Sequence, residues 1–304
     1  MNVLVIGGTG FIGSHVCDSL LLAGHTVGVY TRHDEKYRNN LKSITYFKGD
    51  ISDTSALSEA LIGIDSVVHL VSTTLPSTSN LNPTNDVRSN LIHAIELLEL
   101  LRKNGPKKIV FISSGGTVYG EPLYLPVPES HPLNPICSYG IVKVAIENYM
   151  NLYQQQYGIE SVIMRVSNPY GPRQGHMGVQ GLISAFLNRV KNDQDLIVWG
   201  DGETIRDYIY ISDIANLFDK VLRSSLTGVF NVGSGQGFTI NQVIDVISKV
   251  TNINPTVIYK ESRVFDVKKI YLDTRKTQEA FDWNVNTDLF NGIKKHWEWL
   301  LQAY

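Results

Sequence analysis

The chain has 304 residues, enough for one large domain or two intimate ones around an ample core. Its 27 Lys and Arg nearly balance 29 Asp and Glu. With no basic stripe interleaved with aromatics, that balance argues against nucleic-acid and membrane-surface partners. The two cysteines, Cys17 and Cys137, have neither metal-type spacing nor the density of a disulfide scaffold, so a reducing compartment and no metal site are expected.

Met1 to Ile6 run directly into a glycine turn, leaving no room for a signal peptide or membrane span, and a cytoplasmic protein is expected. In chain order, residues 2–6, 26–30, 44–47, 66–70 and 108–113 read as strands. Residues 14–23, 55–61, 86–103 and 138–157 carry apolar side chains at three- and four-residue intervals and read as helices. Residues 161–166 add a further strand. This alternation predicts an α/β fold with a parallel sheet covered on both faces. After Asn168 the texture changes, with Pro169, Pro172 and a Gly-rich stretch over residues 171–181. We expect a first domain over residues 1–168 and a smaller α/β domain over 169–304, part of 206–235 returning to the first. No repeat, low-complexity tract or linker interrupts the chain.

Gly7, Gly10 and Gly13 follow an apolar strand and open an apolar helix, and Gly8-x-Gly10-x-x-Gly13 fits the same spacing. Glycines permit a tight turn and close backbone approach to a pyrophosphate, which then sits at the positive end of the helix. The first domain is therefore expected to be a Rossmann-type doubly wound sheet that binds a dinucleotide. An acidic residue about 20 positions on would hold the ribose hydroxyls of NAD. This chain has Thr31 and Arg32 there. Thr31 cannot accept as a carboxylate does, and Arg32 either pairs with the 2′-phosphate of NADP or is a solvated loop residue. Asp50 could accept from the adenine amino group.

Tyr139 stands four residues before Lys143, so a helix places both on one face, where the ammonium lowers the phenol's pKa and makes Tyr139 a plausible base.

Together with Gly49-Asp50-Ile51, His69, Asn90, Ser113-Ser114-Gly115-Gly116-Thr117-Val118-Tyr119-Gly120 and Asn168-Pro169-Tyr170-Gly171-Pro172-Arg173, these motifs resemble an extended short-chain dehydrogenase/reductase of the nucleotide-sugar epimerase/dehydratase type. The resemblance covers nearly the whole chain. It implies cofactor contacts from Gly7, Gly10, Phe11, Ile12 and Gly13 at the turn. Further contacts are implied from Thr31, Arg32, Asp50, Ile51, Leu70 and Asn90, and from Tyr139 and Lys143 beside the nicotinamide. It implies a second, nucleotide-sugar-binding domain in which Asn168, Arg206, Arg263 and Asp266 hold the diphosphate and ribose, with Thr74 also on the substrate. For Arg206 the alternative is a salt bridge to Asp207 or Asp213.

The implied activity is a 4-epimerase acting on a UDP-hexose or UDP-N-acetylhexosamine with bound NAD. The rival is an NAD(P)H-dependent reductase of a (d)TDP- or UDP-4-keto-6-deoxy sugar, favoured by Thr31-Arg32. A catalytically silent dinucleotide-binding sensor is a third reading. Where the family usually has a third catalytic hydroxyl this chain has Gly115, leaving Ser114 and Thr117 as substitutes, Thr117 preferred unless it only caps a strand. Gly116 and Thr117 replace the Asp-Glu pair of the family's dehydratases, which argues against dehydration. Ile270 falls where a bulky tyrosine in some members excludes 2-acetamido sugars, so it either admits them or is plain core. A homodimer is expected through the helices at 86–103 and 138–157, with Leu91, Ile95, Leu98, Ile146, Met150 and Tyr153 available.

Overall fold

The apolar run Asn2–Ile6 forms β1, a buried strand of a seven-stranded sheet in the computed structural model, which describes residues 1–175, 181–261 and 267–303. In chain order there follow α1 (Phe11–Leu22), β2 (Thr26–Thr31), β3 (Ile44–Lys48), α2 (Thr54–Ala60), β4 (Ser66–His69), and the short turns α3 (Pro76–Ser79) and α4 (Pro83–Asp86). A π-helical segment Val87–Ile92 leads into α5 (His93–Asn104), β5 (Lys108–Ser114), α6 (Ser138–Tyr157) and β6 (Glu160–Val166). The remaining elements are β7 (Asn168–Tyr170), α7 (Leu182–Lys191), β8 (Leu196–Trp199), β9 (Ile205–Arg206), β10 (Tyr208–Tyr210), α8 (Ile211–Arg223) and β11 (Gly228–Val232). After them come β12 (Phe238–Thr239), α9 (Ile240–Thr251), β13 (Val257–Lys260), β14 (Lys269–Ile270), α10 (Arg275–Phe281) and α11 (Leu289–Gln302).

The chain divides into two compact units. The first comprises Met1–Val118, Pro135–Arg165 and Ala215–Phe230. Its sheet runs β11-β6-β5-β4-β1-β2-β3, with β1 parallel to both β2 and β4, β2 to β3 and β4 to β5. The stretch β3-β2-β1-β4-β5-β6 is the doubly wound Rossmann order. Its direction of winding reverses between β1 and β4, the place where this fold is expected to bind its ligand, at the strands' carboxyl ends. Leu97, Leu98 and Leu101 of α5 and Ile146 and Met150 of α6 join the buried core with Ile109 and Phe111 of β5. Burial of each such side chain stabilises the fold by roughly 1.5–3 kcal/mol.

The helix expected over 86–103 is not continuous. The Asn90 side-chain amide donates to the Asp86 carbonyl at 3.2 Å, taking the acceptor that a regular α-helical N–H would use, and the backbone widens into the π segment. α1 begins earlier than its apolar pattern suggests, at Phe11, directly off the glycine turn. α6 keeps its expected span and ends at Gly158, whose φ of 69° forms a left-handed cap with its N–H on the Gln154 carbonyl.

The second unit comprises Tyr119–Asn134, Val166–Ile214 and Asn231–Tyr304. Among the described residues it holds three small sheets: β7 with β10, β8 with β13, and β12-β9-β14. Asp207 organises it. This buried carboxylate accepts the Ser234 N–H and hydroxyl, both at 2.7 Å, the Ser167 hydroxyl at 3.2 Å and the Leu272 N–H at 3.2 Å. Burial still pushes its pKa up. Among the described residues, no helix is long and apolar enough to cross a membrane.

Candidate active site

The turn after β1 is built for close approach. Gly7 has φ 88°, and a Cβ on Gly13 would overlap the Gly7 carbonyl oxygen and crowd the Gly8 Cα. The Gly7 N–H donates to the Tyr30 carbonyl at 2.9 Å, and the Ser14 N–H to the Gly10 carbonyl at 2.9 Å. Gly10, Phe11, Ile12 and Gly13 thus open α1 with no side-chain cap, and the first N–H groups of the helix are left for an anion. Leu70 follows β4, its N–H on the Ile6 carbonyl at 3.1 Å, and the side chain of the next residue, Val71, lies against Gly7. The cradle fits the pyrophosphate of a dinucleotide.

At the end of β2 the Thr31 hydroxyl is buried, 2.6 Å from the Thr9 hydroxyl and bonded to the His33 carbonyl at 3.0 Å. Arg32 reaches Asp50 at 3.4 Å, with both side chains largely exposed. The two residues expected at different parts of the adenosine therefore face each other. A surface pair of this kind stabilises little, so either partner can be drawn to a ligand. Asp50 also accepts the Ser52 N–H and hydroxyl, which with Arg32 hold its carboxyl below the usual range, and Ile51 is buried.

α6 presents the proposed proton-transfer pair. A Cβ on Gly140 would lie 2.8 Å from the Thr117 carbonyl oxygen, so glycine lets the start of the helix approach the turn after β5. Lys143 is buried on the helix face that carries Ile146 and Glu147. Its ammonium donates to the Ile112 carbonyl at 2.9 Å and lies over the rings of Phe111 and Tyr139, 4.5 and 5.4 Å from their centroids. Burial lowers its pKa to about 8, against the raising pull of Glu147 and Asp86. The expected lowering of the Tyr139 pKa is not met: burial raises it, with Cys137 and Asp86 adding to the rise. Lys143 reaches the ring face, not the phenol oxygen. The Ser72 side chain opposes the rise.

Ser114 ends β5, and the Thr117 hydroxyl is buried with no hydrogen-bond partner among the described residues. Asn90 accepts the Thr73 N–H at 2.9 Å and donates to Thr74 Oγ1 at 3.1 Å. It thereby fixes the loop after β4 that carries Thr74.

Two polar groups carry little signal in the sequence. Asp86, wholly buried, accepts from Thr74 at 2.6 Å, Asn90 at 2.9 Å and Ser138 at 2.7 Å. Glu147, four residues after Lys143, forms a buried ion pair with Arg165 at 2.6 Å and accepts the Ser113 hydroxyl. A carboxylate at helical spacing from Lys143 was the available signal for Glu147; Asp86 reads as a helix-end polar residue.

In the second unit, Asn168 donates its side-chain amide to the Asp207 carbonyl at 2.8 Å. Arg206 lies on β9 beside Asp207 and is the register partner of Ile270 on β14, and its guanidinium donates to the Ile205 carbonyl at 2.9 Å. Ile270 is 2% exposed, the burial of a core position. Arg263 and Asp266 lie outside the described residues. Among the described residues, no group of side chains could hold a metal ion.

Residues 3–233 match the NAD dependent epimerase/dehydratase family. The chain belongs to that family. A Methanocaldococcus jannaschii protein provisionally named UDP-glucose 4-epimerase is 38% identical over 301 residues, covering 98% of each chain. An Escherichia coli dTDP-4-dehydro-6-deoxyglucose reductase is 31% identical over 305 residues, covering 97% of this chain and 96% of the relative. The structure of the Thermotoga maritima UDP-glucose 4-epimerase with UDP-glucose superimposes with a TM-score of 0.95 at 34% identity, covering 100% and 99% of the two chains. Membership of the NAD-dependent epimerase/dehydratase family makes this chain an enzyme and NAD its cofactor.

Proposed function

We propose that the protein is a nucleotide-sugar 4-epimerase acting on a UDP-hexose or UDP-N-acetylhexosamine, with Tyr139 as the base. The observation that carries this reading is the Tyr139/Lys143 pair on α6, with Lys143 fixed on the Ile112 carbonyl at 2.9 Å. As phenolate, Tyr139 takes the proton of the sugar 4-hydroxyl and returns it when the hydroxyl re-forms. Lys143 supplies positive charge against the tyrosine ring. NAD held at the glycine cradle would supply a reversible hydride acceptor for the same carbon. Asn168 and Arg206, with Arg263 and Asp266, hold the nucleotide diphosphate, and a firm grip there with a loose grip on the hexose lets the sugar turn over. Gly116 and Thr117 provide no carboxylate pair for eliminating water.

A second reading, reduction of a 4-keto-6-deoxy nucleotide sugar, is favoured by Thr31 and Arg32 in place of a carboxylate and by the Escherichia coli reductase among the relatives. One experiment separates the two. The purified protein is denatured, the released nucleotide identified, and UDP-glucose and UDP-N-acetylglucosamine turnover measured without added cofactor. Released NAD and unassisted interconversion establish the epimerase. A protein that arrives empty and consumes NADPH with a 4-keto-6-deoxy nucleotide sugar establishes the reductase.

A further inference from the structure

We infer that the Thr9 hydroxyl is the acceptor for the 2′-hydroxyl of the adenosine ribose of NAD, in place of the carboxylate that this chain lacks at the end of β2. Thr31 stands behind it as a positioning residue.

The backbone brings the two threonines together. The Gly7 N–H donates to the Tyr30 carbonyl at 2.9 Å, which ties the turn after β1 to the last residues of β2. Gly8 lets the turn lie close there, since a Cβ on it would come within 2.6 Å of a Val29 methyl. Thr9 is thereby held against the end of β2, its Oγ1 2.6 Å from Thr31 Oγ1. In a doubly wound sheet this strand end holds the ribose beside the adenine, through a side chain that accepts from its 2′-hydroxyl. Thr31 is buried and Thr9 only half-buried.

Hydrogen-bond accounting decides between them. A hydroxyl has one proton to donate and two lone pairs to accept with. Thr31 donates to the His33 carbonyl at 3.0 Å and accepts the His33 N–H at 3.3 Å. Its second lone pair therefore receives the Thr9 proton across the 2.6 Å contact, and Thr31 has nothing left for a ligand. Thr9 is the opposite case. Its proton is committed to Thr31, its side chain bonds to no other group among the described residues, and both of its lone pairs are open. Such an oxygen accepts a ribose O–H but opposes a 2′-phosphate, which brings only acceptors. Two neutral hydroxyls thus make the choice that a carboxylate makes by charge. The nearby carboxylate, Asp50, is already engaged by the Ser52 N–H and hydroxyl and by Arg32.

The test titrates the nucleotide-free full chain by calorimetry with NAD, with NADP and with the NAD analogue that lacks the adenosine 2′-hydroxyl. The proteins are wild type, Thr9→Val, Thr9→Ser and Thr31→Val. Wild type is expected to bind NAD about five- to tenfold more tightly than the 2′-deoxy analogue, the net worth of one hydrogen bond. Thr9→Val keeps the branched shape without the hydroxyl and binds the two alike, and Thr9→Ser restores the preference. In Thr31→Val the Thr9 proton is released to turn toward the ligand, and the NADP/NAD affinity ratio rises by about tenfold. A wild type that binds the analogue as tightly as NAD overturns the inference whatever the variants do, and so does a preference that survives in Thr9→Val. An NADP/NAD ratio unmoved in Thr31→Val overturns the direction assigned to the Thr9 proton. Each ratio is taken within one protein, so a general loss of affinity or of folded material cancels. Because no turnover is measured, the outcome is independent of the sugar substrate and of Tyr139.

Discussion

Asp86 and Ser138 meet through a 2.7 Å hydrogen bond in which the serine hydroxyl donates to a carboxylate with no solvent exposure. The same carboxylate receives Thr74 and Asn90, so a single side chain couples the π segment, the loop after β4 and the start of α6. Asp86→Ala strands these donors in the interior. It is expected to lower stability by about 3 kcal/mol, at ~1 kcal/mol or more for each donor left without an acceptor. Urea unfolding measures the loss, and a midpoint equal to wild type would falsify the coupling role.

His69 predicts an acid-sensitive fold. It is buried at the end of β4, stacked on Phe111 with ring centroids 5.5 Å apart, and its Nδ1 has no hydrogen-bond partner among the described residues. Burial, helped by the Lys143 charge, lowers its pKa from 6.5 to about 3. Below pH 6.5 the unfolded chain takes up a proton that the folded one refuses, so the contribution of neutral His69 is present above 6.5 and is lost as the pH falls toward 3. The slope from this one proton is at most about 1.4 kcal/mol per pH unit. Urea midpoints between pH 7 and 4 should fall less steeply in His69→Gln; an identical pH slope in that variant assigns the acid sensitivity to other groups.

The Rossmann half was legible because two local signals coincide: an apolar strand must be buried, and Gly7, Gly10 and Gly13 at its end have one common explanation in backbone approach to a phosphate. Tyr139 and Lys143 were legible because helical spacing survives folding unchanged. Asn90 shows where reading from sequence stops. Its amide competes with the backbone for one carbonyl, and nothing in an apolar repeat announces that competition. Asp86 becomes the partner of Ser138, 52 residues on, only through the crossover from β4 to α6. Periodicity likewise could not divide the apolar residues of α6. Ile146, Met150 and Tyr153 of α6, with Leu98 of α5, proved to be core.

Gly13→Ala tests the cofactor cradle. The added methyl would collide with the Gly7 carbonyl and the Gly8 backbone, neither of which can yield without opening the turn. We expect the purified variant to release less than a tenth of the wild-type nucleotide on denaturation, an affinity loss of at least about tenfold. Wild-type nucleotide content would place the pyrophosphate elsewhere.

Thr31→Asp tests the adenosine end. A carboxylate there can accept from both ribose hydroxyls and repels a 2′-phosphate. Calorimetry with the nucleotide-free protein should show NAD binding tightened and NADP binding weakened, shifting the NAD/NADP affinity ratio by about tenfold or more. Arg32→Ala should weaken NADP alone, since Arg32 is free to leave its exposed contact with Asp50. A ratio unmoved by either change means that these residues do not face the ribose.

We expect the outer face of α6 to meet a second copy of the chain. Ile141 is 56% exposed and Leu152 45%, and with Tyr149 between them they form an apolar line along the helix, on the side away from Ile146 and Met150. Ile92, at the end of the π segment, is exposed as well. Burying two such large side chains stabilises an interface by roughly 3–6 kcal/mol before the costs of association. A charge placed there forfeits that gain and leaves an unpaired ion in the contact. Leu152→Glu is therefore expected to halve the solution mass measured by light scattering, from dimer to monomer, with little change in the circular dichroism spectrum. A wild-type protein that runs as a monomer removes this face from the argument, and a Leu152→Glu variant that stays dimeric moves the interface off α6.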